Sequence, residues 1–347
     1  MKLILHAGLH KTGSSSIQVF CHNQKECLQS SNYFYPDSLI LGGAHHPFAA
    51  CLAEQNFELL EGHITSWISE CDQRDLSNII VSTEDLEYAT YDQLLKLRML
   101  LERYSIELNA IIYIRPQSDL VLSQYSQQVR EGAYSQSLNT FVAQSIRYAD
   151  YLQIGAILDI FLRATEGKLE VGFYYDDFHS SINVIDDFAA RLRISNVLKY
   201  TDSSTYKFNP RLSYIQLEFI KRVVKSNPEL TKVSQYDRSQ ILYKFIQEYN
   251  WPEFLANSPK IELSREHIKR IYCQFKDENT KIGSRYLSGA ESINKWYEQA
   301  IAHSRPERLV NLNTVACDKR QYHAAIESAT TYTREIANHW LRSSLKN

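Results

Sequence analysis

The chain has 347 residues, 44% of them hydrophobic, with 38 Lys and Arg against 40 Asp and Glu and a formal net charge of −2. That length suffices for one large α/β domain or for an ordinary domain with an appendage, and the balanced charge excludes a basic nucleic-acid footprint and an acidic tail. No apolar stretch reaches membrane-spanning length, the run 3–5 is too short for a signal sequence, and the scattered cysteines (Cys21, Cys27, Cys51, Cys71, Cys273, Cys317) form neither a CxxC pair nor a zinc spacing, so a cytoplasmic protein with no metal site and no integral membrane segment is expected.

In chain order, residues 2–6 (KLILH) form the first β-type run, followed by a glycine- and serine-rich turn and a helical period over 15–28. The stretch GGAHHPFA, 42–49, reads as a loop that offers His45 and His46 as candidate bases, because imidazole exchanges protons near neutral pH. Residues 78–82 form a second strand, and Glu84 stands just past its carboxyl end, the edge that carries the ligand crevice in open α/β sheets. Glu84 is therefore a candidate base, with Asp85 and Glu87 as neighbours able to take the role; the competing reading is a carboxylate that caps the following helix. A helical period over 91–104 leads to a third strand, 110–114, which ends at Arg115. Pro116 suits the opening of a helix over 118–131, on which Ser123 lies about two turns along, sharing a side with Asp119, Gln127 and Arg130. A helical segment over 138–163 and a fourth strand over 169–174 follow.

Beyond about residue 188 the β signal fades into amphipathic stretches at 212–225, 236–249, 265–279 and 321–344, with loops around Pro252, Pro259 and 304–312. Strands separated by helical segments pair in parallel through crossovers. The expectation is an α/β fold with a P-loop-like parallel sheet flanked by helices, its core spanning 1–195, and a mainly helical extension over 196–347 packed onto it as part of the same globular unit.

The segment LHAGLHKTGSSSIQ, 5–18, runs from an apolar strand through two glycines into a hydroxyl-rich helix start. Such a junction attracts anions: unsatisfied backbone N–H groups point outward, the helix dipole favours negative charge, and glycine permits close approach. Gly8 and Gly13 have the separation of the two glycines of GxxxxGK[ST], but Ser14 stands where that motif places lysine, and the lysine here is Lys11, inside the loop. This departure argues against nucleoside-triphosphate hydrolysis. His6 and His10 flank the loop, where they shape it or contact anions.

HKTGSSS, 10–16, resembles the 5′-phosphosulfate loop of the sulfotransferases, in particular the bacterial and heparan-sulfate-type branch. The resemblance implies that His10, Lys11, Thr12, Gly13, Ser14, Ser15 and Ser16 hold the donor 3′-phosphoadenosine 5′-phosphosulfate (PAPS), with Lys11 stabilising charge on the leaving phosphate oxygen. The segment 111–132, with Arg115 after a strand and Ser123 eight residues on, is similar to that family's 3′-phosphate-binding segment, and Arg115 and Ser123 are carried over as that pair; a guanidinium fork matches phosphate oxygens. Glu84 resembles the acidic base of the same branch, while His45 and His46 remain alternatives because other sulfotransferases use histidine. The resemblance extends through 148–178 and covers about the first half of the chain; the RKGxxG loop of cytosolic sulfotransferases has no counterpart. What it implies is transfer of a sulfuryl group from PAPS to a hydroxyl or amine of a saccharide-like acceptor, with release of 3′-phosphoadenosine 5′-phosphate (PAP) and no required metal. The other readings are a small-metabolite kinase, and a non-catalytic binding protein that retains the fold.

Overall fold

The structure, a computed structural model, describes residues 1–174, 183–194, 212–256, 258–287, 291–304 and 319–344. Two compact units alternate along the chain, one comprising Met1–Pro116, Ala149–Asn209 and Phe275–Trp296, the other Gln117–Tyr148, Pro210–Gln274 and Tyr297–Asn347.

The first unit is built on five parallel strands: β1 (Lys2–His6), β2 (Tyr33–Phe34), β3 (Asn78–Ser82), β4 (Glu107–Ile114) and β5 (Leu169–Phe173), in the order β2-β3-β1-β4-β5. Four of these match the β-type runs of the sequence. The fifth, β2, is a two-residue edge strand, too short to leave a period-2 signal. The central strands are buried along nearly their whole length, as expected of a parallel sheet covered on both faces.

Alternation sorts their side chains. Ile4, Ile80, Ile111 and Tyr113 point to one face and pack with Ile17, Phe20 and Cys21 of helix α1 (Ser14–Asn23), with Leu28 of α2 (Lys25–Ser30), and with Ile185 and Phe188 of the helix Val184–Arg191. Leu3, Leu5, Ile79, Val81 and Ile112 alternate with these and are also buried, and the helices Tyr91–Glu102 and Ile154–Ala164 pack beside β4. Each such fully buried Leu, Ile or Phe contributes about 1.5–3 kcal/mol to holding the layers together.

Two helical segments are broken where periodicity runs straight through. Gln24 (φ −116°, ψ 37°) divides 15–28 into α1 and α2. A 3₁₀ turn, Asp150–Leu152, flanked by the non-helical Ala149 and Gln153, divides 138–163 into Leu138–Tyr148 and Ile154–Ala164. The stretch 42–49, expected as loop, instead enters helix α3 (His46–Ala53), and a further helix, Phe57–Gln73, follows.

The second unit is helical in its described residues. Its helices include Gln117–Arg130, Leu138–Tyr148, Tyr214–Lys225, Gln235–Glu248 and Lys319–Ser344. Phe219, Phe245, Tyr249 and Trp251 cluster in its core, and the buried Lys221 ammonium is paired with Glu218 and donates to the Tyr125 hydroxyl (3.1 Å) and the Gln136 carbonyl (3.0 Å). The sequence-expected loop at 304–312 lies outside the described residues beyond Ser304. Among the described residues no helix is long and apolar enough to cross a membrane.

Candidate functional site

All five strands run in one direction, so the segments following β1, β3 and β4 emerge at the same edge of the sheet. The connection from β1 leads through α1 and α2 to β2 on one side, while that from β4 leads to β5 on the other. Connections that diverge from adjacent strands open a crevice between them, the usual position of a ligand in an open α/β sheet. The segment 7–13 follows β1 at this point and Arg115 follows β4.

Ala7 N–H still donates to the Ile111 carbonyl (3.2 Å); the backbone then leaves the sheet, and the Thr12 hydroxyl donates to the Leu9 carbonyl (2.6 Å), closing the loop on itself. Lys11 and Gly13 adopt left-handed backbone, with φ of 71° and 83°. Gly13 is the N-cap of α1, and among the described residues it has no side-chain cap and the first turn has no acidic residue. The positive end of the helix dipole, equivalent to roughly half an elementary charge, is thus not neutralised by a carboxylate of its own first turn.

Arg115 braces this loop. Its guanidinium, buried with 5% of the residue exposed, donates from Nη1 to the Lys11 carbonyl (2.6 Å) and lies 5.3 Å from the centroid of the Tyr174 ring. Tyr174 also covers Gly13, where an added Cβ would lie 2.7 Å from its Cε2. A left-handed lysine costs about 1 kcal/mol or more, and the hydrogen bond to its carbonyl offsets part of that.

Beneath the loop lies His6. The parallel register pairs His6 with Ser82, both on the α1 face of the sheet, and His6 Nδ1 meets Ser82 Oγ at 2.7 Å. His6 Nε2 is fully buried and has no hydrogen-bond partner among the described residues; it lies 3.3 Å from the position a Cβ on Gly8 would occupy. Burial pulls His6 down to about 4, with Glu84 opposing, so at neutral pH it is an uncharged ring with a polar atom directed at the loop.

The 3₁₀ turn Glu84–Tyr88 after β3 supplies three carboxylates, each joined to a different segment. Glu84 accepts from Gln18 Nε2 on α1; burial tends to raise its pKa, but the Gln18 bond, its own backbone and the neighbouring His46 and His10 outweigh that and leave it below the usual carboxylate range. Glu87 accepts from the His10 N–H (2.8 Å) and pairs with His10 Nδ1 (2.7 Å), the carboxylate side chain being only 3% exposed. Burial tends to lower His10, but Glu87 and the charge of Glu84 outweigh it and hold His10 above its ordinary value, with Lys11 opposing. Asp85 Oδ2 lies 2.7 Å from His46 Nδ1.

The sheet edge therefore brings together His10, Lys11, Thr12, Gly13, Ser14, Ser15, Ser16, Glu84, His46 and Arg115. Two of these, Thr12 and Arg115, also hold the loop itself together, and His45 stands apart from the group. The Thr12 hydroxyl is committed to the Leu9 carbonyl, so it shapes the loop. Arg115 is likewise tied to the loop backbone. His45 is not on an open loop: it is fully buried, its Nδ1 accepts from Ser82 N–H (3.2 Å), its Nε2 lies 3.2 Å from the Pro36 carbonyl, and burial lowers it to about 4. With both nitrogens engaged inside the core, His45 is not placed to take a proton from an acceptor; it pins the start of α3 to β3. Ser123 lies half-buried on the helix Gln117–Arg130 of the second unit. Gln18, Tyr174 and the partner roles of Asp85 and Glu87 went unassigned in the sequence; only Gln18 left a signal, one helical turn beyond Ser14 on the same side of α1.

A separate cleft of about 510 Å³ opens at the opposite, amino-terminal edge of the strands, lined in part by Lys2, Asn78, Asn109, Lys168 and Arg191, and shares no residue with the loop. Among the described residues no group of three or more His, Cys, Asp or Glu side chains is arranged to hold a metal ion. In comparisons with known proteins, the chain matches no protein-family model, no curated protein and no solved structure.

Proposed function

We propose that the chain is a sulfotransferase that moves a sulfuryl group from PAPS to a hydroxyl or amine of an acceptor, a saccharide or glycoconjugate being the class the sequence resemblance implies. The observation that carries this reading is the loop 7–13: a helix start without a side-chain cap, entered through Gly13 with Lys11 inside the loop rather than at position 14. An anion with a phosphosulfate group fits such a cradle, with the N–H groups of 13–15 and the Lys11 ammonium as its donors and His6 Nε2 as an unused polar atom below it. Transfer forms a bond from the acceptor oxygen or nitrogen to sulfur and breaks the bond from sulfur to the phosphate oxygen, whose electron pair stays with PAP; Lys11 offsets the charge that develops on that oxygen. Arg115 keeps Lys11 in its left-handed conformation through one Nη1 bond, and the 3′-phosphate contact that the resemblance implies for its guanidinium is part of this proposal.

Isothermal titration of the full chain with PAP, and with ATP plus magnesium, tests the reading. Metal-independent binding of PAP that is lost in Lys11→Ala, with the far-ultraviolet spectrum unchanged, is the expected result. Preference for ATP with magnesium would replace this reading with that of a small-metabolite kinase.

A further inference from the structure

On the proposed sulfuryl-transfer reading, two adjacent histidines, His45 and His46, divide positioning from chemistry. His45 is bonded in both directions to β3: its backbone N–H donates to the Ser82 carbonyl (2.8 Å) and its ring accepts from the Ser82 N–H. That fixes the first residue of α3, His46, against the segment after β3. There the His46 Nδ1 lies 2.7 Å from Asp85 Oδ2 and 3.0 Å from Thr83 Oγ1. The partners are themselves anchored, since Thr83 Oγ1 accepts from Asp85 N–H (3.2 Å) and Thr83 N–H donates to the His6 carbonyl (3.1 Å), two residues before the loop glycine Gly8. The His46 side chain is about one-third exposed, at 32%, and no partner engages its Nε2 among the described residues.

We infer that His46 and Asp85 form a dyad in which Asp85 accepts the Nδ1 proton and His46 Nε2 takes the proton of the acceptor. As the acceptor oxygen bonds to sulfur and the sulfur–phosphate-oxygen bond breaks, the acceptor O–H electrons remain on oxygen and the proton passes to Nε2, giving an imidazolium beside the Asp85 carboxylate. A carboxylate on Nδ1 selects the tautomer that leaves the Nε2 lone pair available. Glu84, a second carboxylate of this turn, has one oxygen occupied by Gln18 and acts as a fixed negative charge near His10 and His46. The groups facing the dyad are Thr83, Asp85 and Glu84 from the turn after β3, with His10 and Glu87 beyond them.

Two measurements on the full chain test this. Nitrogen-15 spectra of the histidine-labelled protein at alkaline pH should show His46 as the Nδ1–H tautomer in the wild type and a shift of that population in Asp85→Ala; an Nε2–H tautomer overturns the dyad. With water as acceptor, release of sulfate and PAP from labelled PAPS should fall about 100-fold or more in His46→Gln, in the range of lost general-base catalysis. The variant's PAP affinity should stay within about twofold of wild type, which separates lost chemistry from lost donor binding. A rate equal to that of wild type, or a larger loss in Glu84→Gln than in His46→Gln, overturns the assignment with the donor reading intact. Failure of the wild type to bind PAP removes the sulfotransferase reading instead, and the tautomer still reports on the dyad.

Discussion

Replacing Gly13 by alanine perturbs the loop at the point where conformation and packing coincide. The residue has φ of +83°, and a left-handed backbone costs an alanine about 1–2 kcal/mol. Its new Cβ would stand 2.7 Å from Tyr174 Cε2 and 3.1 Å from Val184 Cγ1, inside contact distance of a ring that Arg115 also stacks against. Overpacking of this kind costs about 1–3 kcal/mol, so Gly13→Ala should destabilise the protein by about 2–5 kcal/mol. For a domain of this size each kcal/mol corresponds to about 2–4 °C, giving a fall in Tm of roughly 4–20 °C by calorimetry. A double-mutant cycle with Tyr174→Ala separates the two contributions. The steric part, about 1–3 kcal/mol, should vanish when the ring is absent, whereas the conformational part should persist. Urea unfolding of the four proteins supplies the free energies. Gly8→Ala is the comparison: its backbone is not left-handed and the nearest atom, Ser14 Cβ, lies at 3.1 Å, so it should cost less. A Gly13→Ala protein within about 0.5 kcal/mol of wild type, the scatter of an ordinary surface substitution, would refute the geometry described for the loop.

Stability should respond to pH through three histidines, two of them opposed by the third. His6 and His45 are held near 4 by burial, so from pH 6.5 downward the unfolded chain binds protons that the folded chain refuses; stability is lost as pH falls toward 4, by about 3 kcal/mol for each group. Urea midpoints that stay level between pH 7 and pH 5 would contradict this, and His6→Asn should flatten the slope. His10 behaves oppositely: raised by Glu87, it adds stability below its unfolded pKa that is lost as pH rises through its folded one, an effect absent in His10→Asn. Removing the brace with Arg115→Gln takes away a charged donor to the Lys11 carbonyl, for an expected loss of about 1.5–3 kcal/mol in urea unfolding and weaker PAP binding.

Much of the first unit was legible in the sequence because its central strands are buried on both faces and read as continuous apolar runs: KLILH and NIIVS appear as strands with the same bounds in the structure. The loop was legible because glycine and helix-start chemistry are local. What stayed hidden depends on partners distant in the chain. Glu87 and His10 are 77 residues apart, and neither residue type announces a clamp. Arg115 is assigned to phosphate through the resemblance of 111–132 to a 3′-phosphate-binding segment, and an arginine after a strand gives by itself no sign of the carbonyl that it grips, Lys11, 104 residues away. GGAHHPFA read as an open loop because its glycines and proline mark turns, yet Pro47 stands in the first turn of a helix, where its missing N–H has no cost, and Tyr35 and Trp67 pack around His45.

The turn Glu84–Tyr88 works as an indexing device. In a 3₁₀ turn each residue advances by about 120°, so positions three apart eclipse one another. Glu84 and Glu87 accordingly face α1 and the loop, through Gln18 and His10, while Asp85 is rotated away toward His46. The spacing of these carboxylates, more than their number, decides which segments meet. A single alanine inserted between Asp85 and Leu86 would keep all three charges and turn Glu87 away from His10. Such a change should unhook the loop from the sheet edge more completely than any one Glu→Gln substitution in the turn.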